Sequence, residues 1–194
     1  RGVGFHVASI LAYGIYHHSD KFIFAGHIDD NLSALPYEFR SIVNDVRSDW
    51  YSPRNGTKRI YLSTSPMTHD LAPSVHYLSH PDYFTATIVY DFIPMDKPGY
   101  LTTPEANLEY QSRLWELPAY DHYLPISQYS SDRLQAIFGV PTKRISVTGA
   151  CVRAVFLKPV SNDSRDTTSL IVGDRPYFLM VGGGDPRKNA DTAV

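Results

Sequence analysis

Strand patterns and helix patterns alternate along this chain, and that alternation is the feature that most restricts its fold. The clearest strand pattern is residues 85–90, Thr-Ala-Thr-Ile-Val-Tyr, which is rich in β-branched residues. Helix patterns separate the strands, and strands joined by helices pair in parallel. The sequence therefore predicts an α/β fold with a mostly parallel sheet flanked by helices. The other predicted strands cover residues 21–26, 59–63, 123–126 and 144–148.

Two of the predicted helices carry clear start or stop signals. Thr103 is followed by proline and glutamate, which is typical of an N-cap and the first helical turn, and this helix is predicted to run to about Tyr120. Ser127 is predicted to cap a second helix, which Gly139 closes. Further helices are predicted over residues 5–17 and 36–48.

Composition and charge exclude several classes of protein. The 194 residues include one cysteine, Cys151, which excludes an internal disulfide framework and a cysteine-rich zinc module. The 18 basic and 20 acidic residues give a net charge of −2, whereas a nucleic-acid-binding protein is expected to carry a basic excess. We see no membrane-spanning stretch, because the charge-free run Gly2–Ser19 contains three histidines. We expect a cytoplasmic protein, with peripheral contact at the inner face of a membrane left open.

Both ends of the chain carry patterns that normally belong to larger units. The Gly-x-Gly turn of Arg1–Phe5 is followed by a helix pattern but has no strand before it. An apolar strand pattern at 177–181 leads into a glycine-rich turn close to the last residue. We therefore expect part of a longer protein. Its predicted segments are a domain at 1–158 without its first strand, a linker or exposed loop at 159–175, and the start of a second domain at 176–194.

The glycine-rich turn, Gly-Gly-Gly-Asp-Pro-Arg-Lys-Asn at 182–189, is the strongest chemical signal. Glycines such as Gly183 and Gly184 let backbone N–H groups approach an anion closely, and a following helix adds partial positive charge. Arg187 and Lys188 would supply fixed positive charge to a phosphate or diphosphate. The alternative interpretation is a surface turn with two solvated basic side chains.

Several polar residues follow predicted strands, at the sheet edge where ligands bind in parallel α/β folds. Asp91 follows the 85–90 strand and could orient a sugar hydroxyl or accept a proton; the alternative is a capping aspartate in the turn before Pro94. Ser127 follows the next strand, and its alternative role is that of a helix cap alone. The turn at Gly2 and Gly4 could equally hold no ligand, because it lacks the third glycine of a dinucleotide fingerprint.

Three histidines, His69, His76 and His80, lie close together in sequence beside Asp70. Two of them, four positions apart, could face one way on a helix, as metal ligands do. The His-Glu-x-x-His pattern is absent, and nearby prolines disfavour a regular helix. We therefore predict no metal site.

Four segments, in order along the chain, resemble motifs of the retaining glycosyltransferase group 1 family. Members of that family have the GT-B architecture, with two Rossmann-like domains around a cleft. The segment 87–94, Thr-Ile-Val-Tyr-Asp-Phe-Ile-Pro, is similar to the family's strand ending in His-Asp-x-Ile-Pro. The other three resemble its N-terminal Gly-x-Gly loop, its serine-then-helix segment, and the strand and phosphate loop of its donor domain. They are Arg1–Phe5, 123–134 and 177–189.

The resemblance implies a Rossmann-like acceptor domain and transfer of a sugar, with retention, from a nucleotide diphosphate sugar to a glycan or lipid-linked acceptor. It implies a hexosyltransferase, for example mannosyltransferase-like, of polysaccharide or lipopolysaccharide biosynthesis, with no cofactor and no metal. Gly2 and Gly4 would line the cleft near the acceptor, together with Tyr90 and Ser127. Asp91 would match the family's aspartate.

The donor side of the resemblance has two departures. It implies that Lys188, with Arg187, holds the donor diphosphate. Gly183 or Gly184 stands where other branches have a second phosphate-binding arginine, and Tyr90 stands where many members have histidine. The family's paired-glutamate motif would lie beyond the last residue, so this chain alone is expected to be inactive without the rest of its donor domain.

Three other functions remain open at the level of sequence. One is a non-catalytic sugar- or nucleotide-binding module of the same fold. Another is a sugar-nucleotide epimerase, which can share the two-domain architecture. The last is a metal-dependent hydrolase that uses the three histidines.

Overall fold

The computed structural model describes residues 2–18, 25–27, 45–47, 59–67, 71–97 and 99–150, together with single positions at 173, 176 and 192. Contacts divide the chain into two units, Arg1–Arg153 and Ala154–Val194. The elements below all belong to the first unit. Several predicted features lie outside the described residues: the 159–175 linker, the 177–181 strand, the 182–189 loop and Cys151.

Helices and strands alternate along the first unit as the sequence predicts. In chain order the elements are α1 (Gly2–His18), β1 (Ala25–His27), β2 (Asp45–Arg47), β3 (Arg59–Ser63), α2 (Leu71–Ser79), β4 (Tyr83–Val89), α3 (Ile93–Asp96), α4 (Pro104–Glu116), β5 (His122–Pro125) and α5 (Gln128–Phe138). Short 3-10 turns follow α4 and α5 at Leu117–Ala119 and Thr142–Arg144. Among the described helices, none is long and apolar enough to cross a membrane.

The main sheet has three parallel strands in the order β3-β4-β5. Ile60 of β3 pairs with Phe84 of β4, and Thr87 of β4 pairs with Tyr123 of β5. Strands β1 and β2 form a separate parallel pair. Because α2 and α4 connect successive strands of the main sheet, this region has the parallel strands and flanking helices of an α/β fold. The strands predicted at 59–63, 85–90 and 123–126 are confirmed within two residues at either end.

The core lies between the central strand and the helices that cover it. Residues 85–89 of β4 are all buried, as expected for a strand with a neighbour on each side. The predicted inner face of α4 is confirmed, since Tyr110 and Leu114 are buried and Leu117 continues the same face. The buried apolar cluster consists of Val89, Phe92, Tyr110, Leu114, Leu117, Tyr120, Tyr123, Leu134 and Val140.

Both predicted helix caps are confirmed. The Thr103 Oγ1 accepts a hydrogen bond from the N–H of Ala106 at 3.2 Å, and the Ser127 Oγ accepts one from the N–H of Ser130 at 3.1 Å. Helix α4 ends before the predicted residue, at Glu116. The reason is Pro118, which has no N–H to continue the helical bonding.

Several predicted boundaries are wrong. Gly2 and Gly4 lie inside the first turn of α1 and not in a turn before it. The N–H groups of a first helical turn have no partner within the helix, so a helix can begin at these residues without a preceding turn. Residues 45–47 form β2 in place of the predicted helix end, because they pair with β1. The predicted strand at 144–148 is reduced to one bridge between Ile145 and Tyr123. The remaining parts of the predicted strand at 21–26 and helix at 36–48, residues 21–24, 36–44 and 48, lie outside the described residues.

Gly139 ends α5 in the left-handed conformation, with φ 64°, and its N–H donates to the Gln135 carbonyl at 2.9 Å. Nothing lies within 4 Å of a Cβ added there, so only backbone strain opposes a side chain. We expect Gly139→Ala to lower the free energy of unfolding by about 1 kcal/mol, and Gly139→Asn to lower it less, because asparagine tolerates this conformation better. Urea unfolding of both variants measures this. Equal stability of Gly139→Ala and the parent chain would contradict it.

Candidate functional site

A cleft of about 470 Å³ lies at the carboxyl ends of β3 and β4. The cleft is lined by the segment after β3, by the residues that end and follow β4, and by α4 with the loop before it. This is the edge of a parallel sheet at which ligands bind. Its described lining residues are Ser65, Pro66, Met67, Ile88, Val89, Tyr90, Asp91, Pro94, Tyr100, Leu101, Ala106, Glu109, Tyr110 and Arg113.

Asp91 lines this cleft and also closes the turn that leads into the short helix α3, whose N-cap is Phe92. The Asp91 Oδ1 accepts a hydrogen bond from the N–H of Ile93 at 3.0 Å. The sequence left open a role in the turn before Pro94, and this bond provides it, although Asp91 is not the N-cap. The bond occupies one carboxylate oxygen, and among the described residues the other oxygen makes no hydrogen bond. A bond within the turn and a ligand contact are thus compatible in the same side chain.

Tyr90 lines the cleft beside Asp91, and its backbone is held by α5. The Ser130 Oγ donates to the Tyr90 carbonyl at 2.6 Å and lies 3.0 Å from the Ser127 Oγ. Since the Ser130 hydroxyl has one proton, Ser127 is the donor in the second bond. Ser127 is therefore connected to the cleft through Ser130 and is not part of its described lining.

His6 is a neighbour of the site that the sequence did not single out. It is 6% exposed, and its ring meets the Tyr90 ring edge-on, with centroids 5.8 Å apart. Burial lowers the pKa of His6, which favours a neutral imidazole at neutral pH. Its helical spacing with Ile10 on one side of α1 is the signal that could have placed it facing inward.

Tyr110 is a second site residue that the sequence treated only as core. It is 7% exposed, it lines the cleft, and its hydroxyl has no hydrogen-bond partner among the described residues. Burial raises the pKa of Tyr110, and the charges of Asp91 and Asp96 raise it further. The phenol therefore stays protonated and is a hydrogen-bond donor at neutral pH.

Arg113 and Glu109 form an ion pair one helical turn apart on α4. The Arg113 side chain is 11% exposed, whereas Glu109 is 62% exposed and lies at the rim. The guanidinium Nε has no hydrogen-bond partner among the described residues. The Arg113 guanidinium is therefore held against α4 by its ion pair with Glu109.

The remaining predicted site residues are not among the described lining of this cleft. Gly2 and Gly4 lie in α1 and are absent from the described lining. The predicted phosphate-binding residues lie outside the described residues, so their role stays a prediction. They are Gly183, Gly184, Arg187 and Lys188.

The histidine pair lies on α2 and the turn after it. Helix α2 forms despite the expected disruption, because Pro73 is its third residue, in the first turn. The rings of His76 and His80 are 6.0 Å apart, and the His80 Nδ1 accepts from the N–H of Asp82 at 3.3 Å. Within the described part of the chain no three His, Cys, Asp or Glu side chains converge as a metal site would require. His69 lies outside it.

Two tyrosines of the core provide a matched test of the Tyr110 hydroxyl. The Tyr123 hydroxyl donates to the Leu117 carbonyl at 2.9 Å, whereas Tyr110 has no such partner within the described residues. We expect Tyr123→Phe to lower the free energy of unfolding by about 1 kcal/mol, and Tyr110→Phe to leave it unchanged or raise it. Urea unfolding of the two variants decides, and an equal loss in both would contradict this description.

No family model, no curated protein and no solved structure matches this chain. Its function must therefore be inferred from the ordered sequence motifs and from the cleft. The cleft combines a carboxylate acceptor, a protonated phenol, a guanidinium and tyrosine rings. That combination suits a ligand with many hydroxyl groups and an apolar ring face.

Proposed function

We propose that this chain contains the acceptor-binding, Rossmann-like domain of a retaining GT-B glycosyltransferase. The enzyme would transfer a hexose from a nucleotide diphosphate sugar to a glycan or lipid-linked acceptor in polysaccharide or lipopolysaccharide biosynthesis. One observation carries the proposal: the aspartate of the 87–94 motif lines a cleft at the carboxyl ends of two parallel strands. That is where a domain of this class would hold its acceptor.

The chemistry of the proposed reaction assigns separate tasks to the two parts of the chain. The bond between the anomeric carbon and the diphosphate oxygen breaks, and a bond to the acceptor oxygen forms. Asp91 would orient the acceptor hydroxyl or accept its proton. Arg187 and Lys188 would stabilise the negative charge that develops on the leaving diphosphate, without a metal ion.

The order of the motifs along the sequence also supports the proposal, apart from the Gly-x-Gly segment, whose glycines lie in α1 and not in a loop. Two of them fall on residues whose surroundings fit the expected positions, since Asp91 follows β4 and Ser127 follows β5 in one parallel sheet. The tyrosine that replaces the family's histidine, Tyr90, lines the same cleft and has His6 against its ring. An imidazole is thus adjacent to the position at which the motif lacks one.

Turnover of nucleotide sugars by the natural protein in its full length tests the proposal. UDP and GDP sugars of gluco, galacto and manno configuration are incubated with simple glycosides as acceptors, and the products are identified by mass spectrometry. We expect release of the nucleotide and mass gain of one hexose on an acceptor. Interconversion of the donor sugar alone would instead indicate an epimerase. No turnover, together with no nucleotide binding by calorimetry, would indicate the non-catalytic module.

A further inference from the structure

The charges in the cleft restrict which saccharides it can accept. Among the described lining residues, Asp91 and Glu109 are acidic and Arg113 is basic, which leaves a net charge of −1. The guanidinium is paired with Glu109 and largely buried. An anionic ligand would therefore meet one uncompensated negative charge, that of Asp91, beside a cation that is already paired.

We propose that the cleft selects neutral or amino-bearing saccharides and rejects acidic ones, and that Glu109 determines this selectivity through its pairing with Arg113. The identification of the ligand as a saccharide rests on the proposed function. The charge preference rests on the cleft itself.

A hydroxyl-rich ring can satisfy the groups that the cleft leaves without partners. The buried Tyr110 hydroxyl can donate to a sugar oxygen, and Asp91 can accept from a sugar hydroxyl through the oxygen that does not bond to Ile93. Tyr90 and Tyr100 also line the cleft, and aromatic side chains of this kind pack against the C–H side of a pyranose. A buried polar group that gains a partner only from the ligand favours binding.

Glu109 is suited to substitution because its side chain is 62% exposed and bonds, among the described residues, to Arg113. Its backbone carbonyl accepts from the Ser112 hydroxyl at 2.7 Å, a bond that the substitution leaves in place. Glu109→Gln removes one negative charge and leaves Arg113 without its carboxylate partner. Both consequences favour an anionic ligand. Because Glu109 is 62% exposed, its charge acts through a dielectric close to that of water, and at a separation of about 5 Å it changes the affinity for a uronate by about three- to tenfold.

The experiment is an NMR titration of this chain with methyl hexopyranosides of gluco, manno and galacto configuration. Each configuration is used in a neutral form, a 2-amino form and a uronic acid form. We expect the neutral and amino forms of at least one configuration to bind more tightly than its uronate, with the largest shifts at residues of the cleft. Glu109→Gln should tighten uronate binding about three- to tenfold. The matched control, Glu105→Gln, lies on the same helix outside the described lining and should change nothing.

Tyr110→Phe provides an independent readout, because it should weaken binding of the neutral form without lowering the stability of the chain. Tightest binding of the uronate by the parent chain, or no binding of any probe, would overturn the inference. So would equal effects of Glu109→Gln and Glu105→Gln. Failure of the proposed function is a different result: the saccharides bind at the cleft as described, and the natural protein transfers no sugar.

Discussion

Asp91→Asn should reduce sugar transfer by the natural protein by at least about 10²-fold, the usual contribution of a residue that handles a proton in the transition state. The asparagine keeps a side-chain oxygen that can accept from the Ile93 N–H, as the Asp91 Oδ1 does at 3.0 Å. It removes the negative charge and the proton-accepting capacity. The free energy of unfolding should therefore stay within about 0.5 kcal/mol of the parent value.

Two further variants separate the chemical role of Asp91 from its structural one. Asp91→Ala loses the bond from the Ile93 N–H as well as the charge, and it should cost about 1 kcal/mol of stability in addition to the activity. Asp132→Asn makes the same charge change on the exposed side of α5, where Asp132 accepts from the Gln128 side chain at 2.7 Å. It should leave transfer unchanged. Full transfer by Asp91→Asn would mean that this residue only closes the turn before α3.

The second large effect is expected at the glycine-rich loop. Lys188→Ala should lower kcat for transfer by about 10²- to 10³-fold. The reason is that the variant lacks the positive charge that would stabilise the negative charge on the leaving diphosphate in the transition state. Steady-state kinetics with a saturating donor measures this. Lys143→Ala, on the exposed 3-10 turn after α5, is the control and should have no effect.

Calorimetric binding of the nucleotide diphosphate gives the same prediction a second readout. Lys188→Ala should weaken binding of the free diphosphate, and Lys188→Arg should restore part of it because the positive charge is retained. Unaltered kinetics and binding in Lys188→Ala would place this lysine among ordinary solvated surface residues.

The elements that sequence predicts well are those with local signals. Thr103 and Ser127 have the short side-chain oxygens that cap helices, and both do so. The run at 85–90 is β-branched and apolar, and it becomes the buried central strand. Such signals act over a few neighbouring residues, so they can be interpreted without knowing the rest of the fold.

The errors arise where a distant contact or a missing N–H decides the outcome. The pairing of β2 with β1 overrides the helix pattern that ends near Arg47. Pro118 shortens α4 because proline lacks the backbone N–H that would continue the helical hydrogen bonds. This proline is visible in the sequence, but the helix pattern around it favours a longer helix. In the first turn of α1, Gly2 and Gly4 are helical although the Gly-x-Gly spacing predicts a turn.

The candidate site was only half accessible from sequence. Asp91 and Tyr90 belong to one strand end, so a motif can find them. Tyr110 and Arg113 reach the cleft from α4, and which face of that helix lies over the strand ends depends on packing that periodicity does not specify. A tyrosine on an apolar helix face predicts core, and only its hydroxyl without a partner in the described structure marks it as a candidate binding group.

The central claim is that the acceptor of a retaining sugar transfer lies in this cleft. The most direct measurement is a ¹H NMR time course of the natural protein with an α-linked nucleotide sugar and a methyl glycoside acceptor, run in parallel with Asp91→Asn. We predict that the first product formed carries an α-anomeric proton on the acceptor, and that its rate of appearance falls at least about 10²-fold in the variant. A β-linked first product, hydrolysis to free sugar with no acceptor product, or equal rates in the two proteins would contradict the claim.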